Sequence, residues 1–310
     1  IGSILDGVQD DLDWFSAPDS LIATWTGFSD PLSGIGEYEY AIGTGAGSTD
    51  VLDWTDNSSD TTFTKTSLTL ASGSAYYMNV RATDSAGNIS DVISSDGVTV
   101  DLAGPIAGTI IDGTESDIDW DNDTTSLSAV WTGFSDSLSG LEKYEYGIGT
   151  SSGGTEIVDW TENSTDTSVT KIDLTLTNGS TYYVSSRAAD NVGNVSEPAV
   201  SDGITIDTDA PVISSVAEGI SGESGGDDDY QNDASELIIS WSGSDSASGI
   251  AQYEYALGTT SGEVDEIDWT DAGTATGDTL AGISLSEEST YYVSARATDI
   301  AGNISDVLSG

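Results

Sequence analysis

The chain has 310 residues, with 54 acids against six bases, a net charge of −48, and neither cysteine nor histidine. That balance makes nucleic acid and anionic membrane poor partners and divalent cations good ones. The missing residue types exclude a Ser-His-Asp triad, a thiol nucleophile, a disulfide framework and the usual nitrogen and sulfur ligands of transition metals.

In chain order, an acidic stretch carrying Asp11 and Asp13 comes first, directly before Trp14. Leu21, Ala23 and Trp25 then alternate with Ile22 and Thr24, a period of two that predicts a half-buried strand. The next strand places Tyr38, Tyr40 and Ile42 on one face and Glu37 and Glu39 on the other. A further strand is expected to turn Tyr76, Met78, Val80 and Ala82 inward and Tyr77, Asn79 and Arg81 outward. Turn chemistry such as Gly87-Asn88 bounds these segments, and nothing reads as an amphipathic helix. Short strands of this kind predict an antiparallel sandwich.

The same order then recurs. Trp25-Thr-Gly-Phe-Ser-Asp30 returns as Trp131 to Asp136 and as Trp241-Ser-Gly-Ser-Asp245, and Asp53-Trp54, Tyr76-Tyr77 and Arg81-Ala-Thr-Asp84 each have two later counterparts. A period of this length means complete domains, each with its own core, rather than a solenoid. Markers move by 106 residues from copy one to copy two, whereas the leading Trp moves by 110 into copy three. The difference is assigned to an insertion in the Gly/Ser/Asp stretch 221–226, where loop length is cheap. Boundaries are expected at the connectors ending in Pro105 and Pro211, giving sandwiches over 1–101, 102–207 and 208–310. By register the third copy stops before its last strand, leaving a sheet edge expected either to be completed by chain outside these residues or to be filled by a neighbouring chain's strand.

The Trp of the second strand, Tyr-x-Tyr in the third, and Leu70 six residues before Tyr76, a spacing repeated at Leu176/Tyr182 and Leu285/Tyr291, resemble the fibronectin type III and immunoglobulin-like modules of large bacterial surface and secreted proteins. The resemblance covers essentially the whole chain. It implies an all-β, elongated tandem array of antiparallel Greek-key sandwiches. It also implies a tyrosine corner in which the phenol bonds back to upstream backbone. Trp54, Trp160 and Trp269 stand where many such modules have no aromatic residue.

Candidate chemistry lies in the acids. Asp11/Asp13, Asp117/Asp119 and Asp227/Asp229 precede Trp14, Trp120 and Tyr230, and copy two continues with Asp121 and Asp123. Carboxylates two apart in an extended segment point the same way and repel unless a cation lies between them. The alternation is not an EF-hand, because Asn122 holds the glycine position and Ser128 the bidentate-glutamate position. Hard oxygen donors favour Ca²⁺. The module topology implied by the resemblance would gather Asp11, Asp13 and Asp101 toward Asp136, Asp190 and Asn194 at the first junction. At the second it would gather Asp117, Asp119 and Asp207 near Asp245, Asp299 and Asn303. Ordinary solvated turns are the competing account of the same residues.

The three Asp-Trp pairs read as aromatic packing over a sheet edge or as sugar-stacking platforms. Catalysis is not expected, since three equivalent sandwiches offer no cleft with facing carboxylates. The expectation is a non-catalytic extracellular or cell-surface repeat array: a calcium-stiffened spacer or stalk of a bacterial adhesin or fibre. Its partners would be neighbouring repeats of the same chain, and beyond them other copies in a fibre or a surface glycan. The alternatives are a carbohydrate-binding or appendage module of a secreted enzyme, or a halophilic surface-layer-type protein. No run of about 18 apolar residues occurs, so no membrane-spanning helix is expected, and any anchor or export signal is expected outside these residues.

Overall fold

Alternating burial organises every copy. In the computed structural model, which describes residues 2–219, 230 and 233–310, copy one contains β1 (Ser3–Leu5), β2 (Trp14–Phe15), β3 (Leu21–Thr26), β4 (Ile35–Gly43), β5 (Leu52–Asp56), β6 (Thr62–Lys65), β7 (Ala75–Asp84), β8 (Ile93–Ser94) and β9 (Val98–Val100). One sheet runs β1-β3-β6, and the other runs β2-β9-β7-β4-β5 with β8 also on β7. Leu21, Ala23 and Trp25 of β3 face Tyr38, Tyr40 and Ile42 of β4 and Tyr76, Met78, Val80 and Ala82 of β7 across one core. Trp25 meets Tyr38 edge to face at 5.6 Å between ring centres, a preferred aromatic geometry.

Copy two repeats this with β10 (Thr109–Asp112), β11 (Trp120–Asp121), β12 (Leu127–Thr132), β13 (Leu141–Gly149), β14 (Val158–Glu162), β15 (Ser168–Lys171), β16 (Thr181–Asp190), β17 (Ala199–Val200) and β18 (Ile204–Ile206). Its sheets are β10-β12-β15 and β11-β18-β16-β13-β14, with β17 on β16. Copy three supplies β19 (Val212–Gly219), β20 (Glu236–Ser244), β21 (Ile250–Gly258), β22 (Ile267–Gly273), β23 (Gly277–Ala281), β24 (Tyr292–Asp299) and β25 (Leu308–Ser309). Its sheets are β19-β20-β23 and β22-β21-β24-β25. β25 pairs with Ser294 and Ala295 as β8 pairs with Asn79 and Val80. Among the described residues copy three has no counterpart of β9 or β18. The stretch 221–226, Asp227 and Asp229 lie outside the described residues.

Each copy closes its own apolar cluster. The tyrosine corner forms three times: the phenol oxygens of Tyr76, Tyr182 and Tyr291 accept the amides of Ala71, Thr177 and Ser286, each at 2.9 Å. Asn79 departs from its expected outward exposure, because the turn after β4 folds over it. Its side chain accepts the Gly47 amide and donates to the Ser48 carbonyl, both at 2.7 Å, and the residue is fully buried.

Candidate metal centres

Two short parallel pairings decide where the acids fall. β2 runs alongside β9, with Trp14 beside Thr99 and Phe15 beside Val100, and β11 runs alongside β18 in the same way. Asp11 and Asp13 therefore lie at the end where the last strand begins, and Asp101 at the end where it finishes. The expected grouping of Asp11 and Asp13 with Asp101 does not occur, nor does that of Asp117 and Asp119 with Asp207. The reason is that the chain after the first strand crosses to the other sheet and joins it parallel rather than staying at one pole.

The first junction collects Asp101, Asp136 and Asp190, each offering a carboxylate oxygen within 4.8 Å of the other two. Asp101 and Asp190 are fully buried. Asp136 Oδ1 accepts the amides of Leu138 and Gly140, and Asp190 Oδ1 accepts those of Val192 and Asn194. Asp101 crosses from the first sandwich to accept the Ser139 amide at 3.1 Å, while the Asn194 amide group donates to the Asp101 carbonyl and to Asp190 Oδ2. The second junction repeats the set with Asp207, Asp245 and Asp299. Ser248 donates its amide to Asp207, and Asn303 donates to the Asp207 carbonyl at 2.8 Å. Burial pushes the Asp207 carboxyl up, but hydrogen bonds from Ser248 and Asp209 outweigh it and hold the group below the usual carboxylate range.

The equivalent loops of copy one fold alike, and among the described residues no third carboxylate joins them. Asp30 Oδ1 accepts the amides of Leu32, Ser33 and Gly34, and Asp84 takes both the amide and the side chain of Asn88. Asn88 holds the Asp84 carboxyl down at about 2, through its side chain and its amide. The carboxylates of these loops are thus oriented by backbone and side-chain donors within copy one itself. Leu32 there is 95% exposed, whereas its counterpart Leu138 is half-buried beside Gly73 at the first junction.

The remaining acids of the sequence clusters lie apart from the junctions. Asp13 and Asp119 are exposed, and their carbonyls accept the amides of Thr99 and Thr205. Asp121 accepts the Asp123 amide, and Asp123 caps the turn through Thr125 and Ser126. Asp11 and Asp117 instead join acids that the sequence reading passed over: Asp6 with Asp96, and Asp112 with Asp202. A signal for them existed. Asp6-Gly7 and Asp96-Gly97 recur as Asp112-Gly113 and Asp202-Gly203 with the same shift of 106.

The Asp-Trp tryptophans are half-buried under arginine. The guanidinium carbons of Arg81, Arg187 and Arg296 stand 4.2, 4.2 and 4.3 Å from the ring centres of Trp54, Trp160 and Trp269. Each arginine Nε also bonds a glutamate, Glu39, Glu145 or Glu254, at 2.7 Å.

No protein-family model matches the chain. Exoglucanase B of Cellulomonas fimi is 28% identical over 256 residues, covering 79% of this chain and 20% of that protein; the chain spans about a fifth of the length of that relative. Among solved structures, the FN1-FN3 domains of chicken CNTN1 align over 99% of this chain and 96% of theirs, at 14% identity and a TM-score of 0.39. Fibronectin(III)-like modules of Clostridium thermocellum CbhA align over 66% and 94%, at 15% identity and a TM-score of 0.35. The repeated strand order, the core Trp and the three tyrosine corners make the chain a tandem array of fibronectin type III-like sandwiches.

Proposed function

We propose that this chain is a non-catalytic extracellular spacer whose junctions are stiffened by calcium, and that it serves as the stalk of a surface adhesin or fibre. The observation that carries the reading is the repeated convergence of three carboxylates from a linker and two loops. Like charges within 4.8 Å repel by about 3 kcal/mol per pair at an effective dielectric of about 20. A divalent cation reverses that sign and ties the linker of one sandwich to the loops of the next. The ligand chemistry is all oxygen, which suits Ca²⁺. Four of the chain's six bases are engaged by glutamates.

A second context is favoured by the exoglucanase match: a spacer appended to an enzyme of that kind. Sugar binding by Trp54, Trp160 and Trp269 is disfavoured, because a pyranose stacking on the covered ring face would have to displace an arginine already paired with glutamate.

Small-angle scattering in calcium and in chelator at equal ionic strength tests the spacer. Calcium should give a longer particle with less interdomain flexibility, and Asp207→Ala should restore flexibility at one junction only. Identical profiles in both conditions would overturn the reading.

A further inference from the structure

Asp6 directly follows β1, its counterpart Asp112 is the last residue of β10, and the two are 1% and 0% exposed. In each, Oδ2 accepts one backbone amide at the start of the last strand, from Gly97 at 3.0 Å or Gly203 at 3.1 Å. Oδ1 is buried in both without any hydrogen-bond partner. An unpaired buried carboxylate oxygen is costly, and here the cost recurs at equivalent positions of two domains.

Apart from the Ser95 and Ser201 hydroxyls, which donate to these carboxyls, the surroundings supply acids rather than donors. A tight loop follows each strand, with Gly7 at φ +149° and Gly113 at φ +94°. A side chain at Gly7 would run into the Asp10 carbonyl, and one at Gly113 into that of Ser116. The loop brings Asp11 Oδ1 back onto the Asp6 amide at 2.9 Å, and Asp117 Oδ1 onto the Asp112 amide at 3.0 Å. Asp96 and Asp202 arrive from the turn before the last strand. Within each triad every residue offers an oxygen within 4.8 Å of the others. Beside Asp6 there is also a cavity of about 10 Å³, but its remaining lining is Leu12, Phe15, Leu21, Ile22 and Val98. A water there would lack the two to four polar partners that hold buried water, so it does not supply what Oδ1 lacks.

We propose that Asp6, Asp11 and Asp96 form a divalent-cation site within the first sandwich, and Asp112, Asp117 and Asp202 a second site within the next, each taking Ca²⁺. The ion satisfies the buried oxygen, neutralises three converging carboxylates, and ties the loop after the first strand to the start of the last. These sites share no residue with the junctions and hold whether or not the junction reading does.

The test is calcium stoichiometry of the full chain, stripped with chelator and titrated with calcium chloride by calorimetry and equilibrium dialysis. Asp6→Asn/Asp112→Asn should bind two fewer equivalents than the parent. Asp101→Asn/Asp207→Asn should keep those two and lose only equivalents belonging to the junctions. Near-ultraviolet dichroism checks folding, and the exposed pair Asp96→Asn/Asp202→Asn repeats the test where the core is untouched. A parent that binds no calcium, or triad variants that are folded and bind as much as the parent, would overturn the proposal. Loss confined to the junction variant would overturn it while leaving the junction reading standing.

Discussion

Burial pushes the carboxyls of Asp6 and Asp112 up to about 6, against hydrogen bonds from Ser95 and Gly97 or Ser201 and Gly203, and with the neighbouring acids raising them further. A folded-state pKa above the unfolded value of 3.8 means that the folded protein holds the proton more tightly. Without calcium, the stabilisation is therefore fully present below about pH 4 and lost as pH rises through about 6. Moving one carboxyl from 3.8 to about 6 is worth about 3 kcal/mol per site. Carboxyls held low by hydrogen bonds, such as Asp84 and Asp207, act in the opposite sense and only at lower pH. In chelator the melting midpoint should thus climb between pH 7 and pH 5 and fall again below about pH 4. The climb should vanish in Asp6→Asn/Asp112→Asn, and a flat profile in the parent would contradict the assignment.

At the scale of elements, the arginine stack spans three strands. Glu39 of β4 sits opposite Arg81 of β7, and Arg81 reaches over β4 to Trp54 of β5. The arginine and glutamate side chains keep roughly a quarter of their surface in water, so the ion pair is worth under about 1 kcal/mol and the cation–π contact about 0.5–1. A double-mutant cycle on Glu145 and Arg187 should give a coupling below about 1 kcal/mol that shrinks in 1 M salt. A coupling above about 2 kcal/mol would mean that the pair is better shielded than its exposure indicates. The strands themselves were legible, because Leu21, Ala23, Trp25 and their counterparts alternate over a full strand length. β2 was not legible, since two residues show no period, yet its parallel course decides which pole receives Asp11. Asp6 and Asp96 escaped notice for a related reason: 90 residues separate them, and only the closing of β9 against the end of β1 makes them neighbours. Asp136 and Asp190 were placed beside Asp101 through the module topology that the family resemblance implies, and the three do converge there.

For the whole molecule, the question is whether a charge of −48 acts as a diffuse field or through local sites. A diffuse field responds to any salt, because the screening length shrinks from about 10 Å at 0.1 M to about 3 Å at 1 M. A site saturates, and binding at 100 times its dissociation constant adds about 2.7 kcal/mol for each domain it stabilises. Millimolar calcium should therefore raise the melting midpoint well above that in sodium chloride of matched ionic strength, with the gain levelling off as the sites fill. Asp101→Asn/Asp207→Asn should remove part of the gain and Asp6→Asn/Asp112→Asn another part, nearly additively, because the two kinds of site share no ligand. If sodium chloride reproduced the whole shift, the acidity would serve solvation and screening, as in a brine-adapted surface protein, and neither class of site would be needed to explain it.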